Sequence, residues 1–180
     1  MSPLLRELLA AWRTAQTPDL AAALLACGLP IDGASPWAAP LGVAFVDIDP
    51  HHYAPAAGGK PAIIAPFFAD GVLLDLVATG LATRSTRTRL GVATMLGREW
   101  VDRAKDTETA VRLFGDPIEW LRNGCRGAVV IDWRAARYEL ADLPAIACEG
   151  EMLAARVERA LKQPARIPQL FVREAHRAAA

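Results

Sequence analysis

The sequence has few of the side chains that form covalent cross-links or act as nucleophiles. Its 180 residues include three cysteines, Cys27, Cys125 and Cys148, and only three serines. The cysteines form no CxxC pair and the serines lie in no G-x-S-x-G motif, which argues against a disulfide framework and a serine hydrolase. We therefore expect reduced thiols in a cytoplasmic protein.

Net charge and long apolar runs are also lacking. The chain has 20 basic and 20 acidic residues, so no global attraction draws it to nucleic acid or to anionic lipid. Its apolar stretches are well short of the ~18 residues that a membrane helix needs. The leucine-rich start carries Glu7 and lacks the basic region of a signal peptide. The composition thus predicts a protein without a membrane partner.

The overall composition is that of a packed globular protein. Hydrophobic residues make up 53% of the chain and charged residues 22%, and a chain of this length buries roughly 70% of its unfolded surface. Alanine and arginine, both encoded by GC-rich codons, are abundant, which indicates a bacterial genome. We expect one soluble domain spanning residues 1–180.

The first 90 residues combine a helical hairpin with a β-rich part. Leucines at helical spacing predict a helix over 3–15, and Thr17 followed by Pro18 predicts the start of a second helix, so that 3–30 forms the hairpin. Apolar and β-branched runs within 41–90 predict four strands and one loop, with a turn at 69–71 between the second and third strands. The strands are 42–48, 63–68, 72–78 and 84–90, and the loop is 53–60.

Residues 92–163 mix helices with strands buried on both faces. The predicted helices are 92–105, with Gly97 inside it, 118–123, capped by Asp116, and the amphipathic 150–163. The predicted strands are 128–131 and 145–148, followed by an edge strand over 169–173 and a frayed tail over 174–180. The predicted fold class is α+β: a single domain with a mixed, largely antiparallel sheet, an N-terminal helical hairpin and a C-terminal amphipathic helix.

The most distinctive motif follows the first predicted strand. The run from Val43 to His52 ends in Asp47-Ile-Asp49-Pro and then His51-His52. Because strand side chains alternate, Asp47 and Asp49 share one face, about 7 Å apart. Paired carboxylates suit Mg²⁺ or Mn²⁺, and an added imidazole suits Mn²⁺ or Zn²⁺. The sequence predicts a metal site of Asp47, Asp49, His51 and His52; the alternative is a polar strand end followed by a turn.

This run resembles the hydrophobic-Asp-hydrophobic-Asp-Pro motif of archaeo-eukaryotic-type primases and of the polymerase module of bacterial end-joining ligases. The resemblance covers about ten residues, and it implies that the paired aspartates hold catalytic metals. That family also has a Ser-x-His motif downstream. Here the only later histidine is His176, which has no serine near it, and a third metal-binding aspartate is matched only by Asp132.

Two further acids, Asp132 and Glu149, follow the buried strands and would meet Asp49 if the three strands were parallel neighbours. Residues 148–152, Cys-Glu-Gly-Glu-Met, are similar to the first acidic motif of toprim domains. Those domains need a later Asp-x-Asp pair, and no aspartate follows Asp142. The alternative is that Glu149 and its neighbours stabilise the start of the final helix.

A local excess of arginine accompanies the fourth predicted strand. Arg84, Arg87 and Arg89 would form a face that contacts nucleic-acid phosphates. The alternative is that they protect an exposed edge strand from aggregation.

Two functions from different classes follow from these features. The first is a small accessory or protein-interaction module without catalytic activity and without a cofactor, whose partner is another protein. The alternative is an enzyme on phosphate or nucleic-acid substrates that depends on Mg²⁺, Mn²⁺ or Zn²⁺ held by Asp47, Asp49 and His51. Nucleic-acid binding through the arginine face is a third hypothesis, and it predicts an affinity for nucleic acid that falls steeply as the salt concentration rises.

Overall fold

The computed structural model describes residues 1–15, 17–29 and 42–162. The helices are α1 (Pro3–Ala15), α2 (Pro18–Ala26), α3 (Arg98–Thr107), α4 (Pro117–Arg122), α5 (Ala136–Leu140) and α6 (Glu151–Lys162). The strands are β1 (Gly42–Ile48), β2 (Tyr53–Pro55), β3 (Lys60–Ala69), β4 (Val72–Gly80), β5 (Thr86–Thr88), β6 (Met95–Leu96), β7 (Ala110–Leu113), β8 (Val129–Val130) and β9 (Ala145–Cys148). The chain is an α+β protein, as predicted.

The first five strands form a curled antiparallel sheet in the order β2-β1-β3-β4-β5. The β3–β4 hairpin is its longest pairing, and its turn carries Asp70 and Gly71 at positive φ, the conformation of a two-residue type I′ turn. An isolated bridge between His52 and Thr88 brings the turn after β1 against β5. The two ends of the sheet therefore approach each other, and the predicted motif after β1 lies beside the far edge strand.

The remaining strands are short and mix both directions. β6 pairs with β8 antiparallel, β7 pairs with β9 parallel, and a bridge joins Leu113 to Ala128 next to β8. Helices α4, α5 and α6 connect or follow β7, β8 and β9, so this half alternates strand and helix. The carboxyl ends of its parallel strands lie at the same edge, and ligands commonly bind at that edge in such sheets.

The curled sheet buries side chains on both faces. On one face, Leu8 and Ala11 of α1 pack against Val46, Ile64 and Leu76. This cluster packs the first helix against the sheet, and Glu7 adds a hydrogen bond from the Tyr53 hydroxyl (2.7 Å).

The opposite face packs against the second half of the chain. Ile63 and Phe67 of β3 lie in one cluster with Leu24 of α2 and with Ile118 and Trp120 of α4. The buried residues of α1 and α2 lie in different clusters, and the pairing of these helices as a hairpin stays a prediction.

Several predicted elements differ from those observed. Residues 92–105 are not one helix: β6 ends at Leu96, Gly97 adopts a left-handed conformation, and α3 follows. The predicted strand 84–90 is only β5, and the predicted loop 53–60 begins with β2. Strand β7 and helix α5 were not predicted. The edge strand at 169–173 and the tail at 174–180 lie outside the described residues.

Candidate functional site

The predicted Asp-Pro-His-His motif forms a tight turn organised by Asp49. Its Oδ1 accepts hydrogen bonds from the backbone N–H groups of His51 (2.6 Å) and His52 (2.7 Å), and its own N–H donates to the carbonyl of His52 (3.0 Å). These N–H groups, that of His52 first and that of His51 second, lower the pKa of the Asp49 carboxyl. The aspartate therefore fixes the backbone of the two histidines, whose side chains are exposed.

A polar cleft of about 620 Å³ opens beside this turn. It lies between the turn, strand β5, the segment after β5 and the carboxyl end of β8. Its lining residues are Pro50, His51, His52, Thr86, Arg87, Thr88, Leu90, Gly91, Ala93, Ile131, Asp132 and Arg134. The cleft thus joins the motif after β1 to one of the two strand-end acids, although their strands belong to different sheets.

An ion pair occupies the β8 side of the cleft. Arg134 donates from Nε to Asp132 Oδ1 (3.0 Å) and from a terminal nitrogen to Asp132 Oδ2 (3.1 Å). The side-chain hydrogen bond from Arg134 is the main cause that lowers the pKa of Asp132, and the same pair raises the pKa of Arg134. The Arg134 side chain is 92% exposed. The negative charge of Asp132 is therefore offset within the cleft.

Arg87 crosses from β5 to the turn and is held there by carbonyl oxygens. Its Nε donates to the carbonyls of Asp49 (3.2 Å) and Pro50 (2.9 Å), and Nη1 donates to the carbonyl of Thr86 (2.7 Å). Within the described ranges no carboxylate forms an ion pair with it. Arg87 therefore brings an uncompensated positive charge to the cleft in a fixed position.

The other two arginines that were predicted to contact nucleic acid form ion pairs outside the cleft. Arg84 forms an ion pair with Asp116 (3.2 Å), the residue that caps α4, and Arg89 forms one with Glu7 of α1 (3.1 Å). Of the three predicted nucleic-acid contacts, only Arg87 lines the cleft. Arg84 and Arg89 each use at least one guanidinium nitrogen in an ion pair that joins separate parts of the fold.

The predicted metal ligand Asp47 and the strand-end acid Glu149 lie apart from the cleft. Asp47 is exposed on β1, where it pairs with Ala54, and Glu149 forms an ion pair with Arg112 at the end of β7. Neither lines the cleft. Within residues 1–15, 17–29 and 42–162, no three His, Cys, Asp or Glu side chains form a group suited to hold a metal ion. A cation bound at the turn would need ligands from water or substrate.

Sequence reasoning missed Asp75, which supports one wall of the cleft. This carboxylate is fully buried in β4, and it accepts hydrogen bonds from five backbone N–H groups. Four of the five donors are in residues 89–93, which contribute Leu90, Gly91 and Ala93 to the cleft. The signal in the sequence was a single acid inside the apolar run 72–78.

A second concavity lies at the tip of the β3–β4 hairpin and is largely apolar. It measures about 460 Å³ and shares no residue with the polar cleft. We call it the hairpin groove. Its lining residues are Pro66, Phe67, Phe68, Gly71, Met95, Leu96, Gly97, Arg98, Glu99 and Trp120.

Comparison with known protein families, with curated protein sequences and with solved structures finds no match to this chain. In the part of the chain that the structure describes, every helix is too short or too polar to cross a bilayer. Function is therefore inferred from the cleft and the groove themselves.

Proposed function

We propose that this chain is a small accessory module of the bacterial cytoplasm that binds another protein and catalyses no reaction. The observation that carries the proposal is the apolar surface at the hairpin tip. Phe68 is 44% exposed and Val72 57% exposed, and both lie at the hairpin groove or beside it. Exposed aromatic and aliphatic side chains next to an apolar concavity are typical of protein-binding surfaces.

The occupant we propose is an apolar segment of a partner protein that also carries a basic side chain. The lining includes the exposed ring of Phe68 and, beneath it, the buried side chains of Met95 and Leu96, so an apolar side chain would meet an apolar surface. At the rim, Arg98 contacts Glu139 (3.6 Å), whereas Glu99 is exposed and forms no ion pair within the described ranges. A lysine or arginine beside the apolar anchor would complement Glu99 and add specificity.

Selection of peptides from a displayed random library tests this proposal. Peptides selected on the wild-type protein are expected to share an apolar anchor flanked by a basic residue. Their affinity should fall at least about tenfold in Phe68→Ser, because the substitution removes an aromatic contact at the groove. Glu99→Gln should lower it by a smaller factor.

The matched control is Phe45→Ser, since the side chain of Phe45 is about as exposed (42%) as that of Phe68 but lies on β1, outside the groove lining. It should leave peptide affinity unchanged. Peptides that bind wild type and Phe68→Ser equally well would place the interaction elsewhere and overturn the proposal.

A divalent-metal-dependent enzyme on phosphate or nucleic-acid substrates is our second candidate. The observation in its favour is that Asp49, His51 and His52 occupy one turn on the wall of a polar cleft that also contains Asp132. Mg²⁺ commonly binds through one or two carboxylates and takes its other ligands from water and substrate phosphate. Oδ2 of Asp49 is available to such an ion, because the hydrogen bonds from His51 and His52 are both accepted by Oδ1.

Thermal unfolding with and without metal tests this second candidate. A metal at 100 times its dissociation constant adds about 2.7 kcal/mol, so Tm of the EDTA-treated protein should rise by roughly 5–10 °C with Mg²⁺, Mn²⁺ or Zn²⁺. His51→Gln should reduce the rise while leaving the turn bonds of Asp49 in place. A Tm that no metal changes at millimolar concentration rules the metal site out.

A further inference from the structure

The polar cleft described above is lined by several hydrogen-bond donors, which suit an anion. We propose that it binds the phosphate group of a small phosphorylated molecule, with Arg87 as the central contact and with His51, His52 and Arg134 around it. The proposal is independent of protein binding at the hairpin groove, since the two concavities share no lining residue.

Arg87 has hydrogen-bond donors to spare. A guanidinium carries five N–H groups, and the carbonyl bonds of Arg87 use the Nε–H and one Nη1–H. The three N–H groups that remain include both of those on Nη2. Because the carbonyls of Asp49, Pro50 and Thr86 already fix the guanidinium, little side-chain entropy is lost when a ligand binds. The planar fork of a guanidinium matches two phosphate oxygens at once.

The rest of the lining supplies donors on other sides of the same space. His51 and His52 are exposed on the turn, and His52 packs its ring against Gly91, where a Cβ would lie 3.3 Å from Cε1. Thr88 accepts a hydrogen bond from the Gly91 N–H (3.0 Å), which leaves its hydroxyl hydrogen to be donated. A tetrahedral phosphate accepts hydrogen bonds from several directions, whereas a carboxylate accepts them in one plane.

The charges of the lining favour an anion. Arg87 and Arg134 contribute two positive charges and Asp132 one negative charge, so the lining is net positive even with both imidazoles neutral. Asp132 is held by two bonds from Arg134 and is therefore screened from an incoming anion. The volume, about 620 Å³, lies within the range of small-molecule sites.

Titration of the 180-residue protein with inorganic phosphate, followed by nuclear magnetic resonance in EDTA at constant ionic strength, tests the proposal. The imidazole signals of His51 and His52 are expected to shift with a saturable dependence in the millimolar range. Adenosine monophosphate should bind at least as tightly as phosphate, and adenosine should not shift these signals. Arg87→Gln should weaken phosphate binding by about tenfold or more, and Arg87→Lys, which keeps the charge but loses the fork, by a smaller factor.

The matched control is Arg126→Gln, which removes an equal charge from an exposed residue outside the cleft and should leave binding unchanged. Arg134→Gln serves as the second cleft variant, because its side chain is almost fully exposed and its loss does not threaten folding. It should weaken binding several-fold by unmasking Asp132. Equal losses in Arg126→Gln and the cleft variants would show unspecific attraction and overturn the site. So would phosphate binding that appears only with added Mg²⁺, or that leaves the histidine signals unmoved.

Discussion

Replacing Asp75 with alanine is expected to lower the free energy of unfolding by about 3–5 kcal/mol, because several backbone N–H groups lose their acceptor at about 1–3 kcal/mol each and part of the segment can relax. Oδ1 accepts from the N–H groups of Leu76 (2.8 Å), Arg89 (3.1 Å) and Leu90 (2.9 Å). Oδ2 accepts from those of Val92 (2.7 Å) and Ala93 (3.0 Å). With alanine, the N–H of Arg89 would keep its bond to the carbonyl of Leu76 (2.8 Å). Those of Leu90, Val92 and Ala93 would be left without a protein acceptor, next to β4 residues that exclude water.

Asparagine at position 75 is expected to be almost as damaging. An amide presents only one oxygen, so its NH₂ group would face N–H donors that now meet Oδ1 or Oδ2. The loss should be about 2–4 kcal/mol, because each unsatisfied buried donor costs about 1–3 kcal/mol and part of the segment can relax. Asp75 therefore holds residues 89–93 against β4 through its geometry as well as its charge.

Urea unfolding of the wild type, Asp75→Ala and Asp75→Asn measures these losses. Asp70→Asn is the matched control: Asp70 is exposed in the hairpin turn at a positive φ that asparagine tolerates, and its stability should change by less than about 0.5 kcal/mol. A loss below about 1 kcal/mol in Asp75→Ala would mean that water replaces the carboxylate. Since residues 89–93 line the polar cleft, variants that remain folded should also bind phosphate less tightly.

Elements with strong local signals were predicted from the sequence. The β3–β4 hairpin was predicted because two apolar runs flank Asp70-Gly71, a pair that favours a tight turn. Helix α4 was predicted because Asp116 caps it and Pro117 starts it, and Asp116 does accept hydrogen bonds from the N–H groups of Ile118 and Glu119. In both, the determining residues are adjacent in the chain.

Elements that depend on distant partners were not predicted. Strand β7 is four residues long and exists through its parallel pairing with β9, more than 30 residues away. Strand β5 is shorter than the predicted 84–90 because Arg84 has a positive φ and because Leu90 is bound by Asp75. Short strands of this kind carry too few residues for a periodic signal.

The candidate site was predictable only where its residues are adjacent in the chain. Asp49, His51 and His52 are neighbours in the sequence, so their presence in one turn followed from the motif itself. That Asp132 lines the same cleft depends on the contact between the two halves of the chain. The partners of Arg84 and Arg89 are 32 and 82 residues away, and nothing in a local charge pattern distinguishes a paired arginine from a free one.

Gly97→Ala is the second substitution for which we expect a large effect, a loss of about 2–5 kcal/mol. Gly97 has φ +75°, which is strained for alanine, and an added Cβ would overlap the carbonyl oxygen of Gly127. That oxygen also accepts the indole N–H of Trp120 (2.8 Å), and it belongs to the backbone, so it cannot turn aside as a side chain would. The Gly127 backbone is itself closely packed, since a Cβ there would overlap the carbonyl oxygen of Arg112.

Chemical denaturation of Gly97→Ala beside Gly115→Ala measures this effect. Gly115 has no atom within 4 Å of an added Cβ and does not have a positive φ, so alanine there should change the stability by less than about 1 kcal/mol in either direction. Equal stabilities of the two variants would show that the backbones at Gly97 and Gly127 separate easily. A large loss confined to Gly97→Ala would explain why a helix cannot run through residues 92–105. Gly97 adopts a left-handed conformation where it approaches Gly127 closely, so β6 ends before Gly97 and α3 begins after it. The lining of the hairpin groove includes this junction.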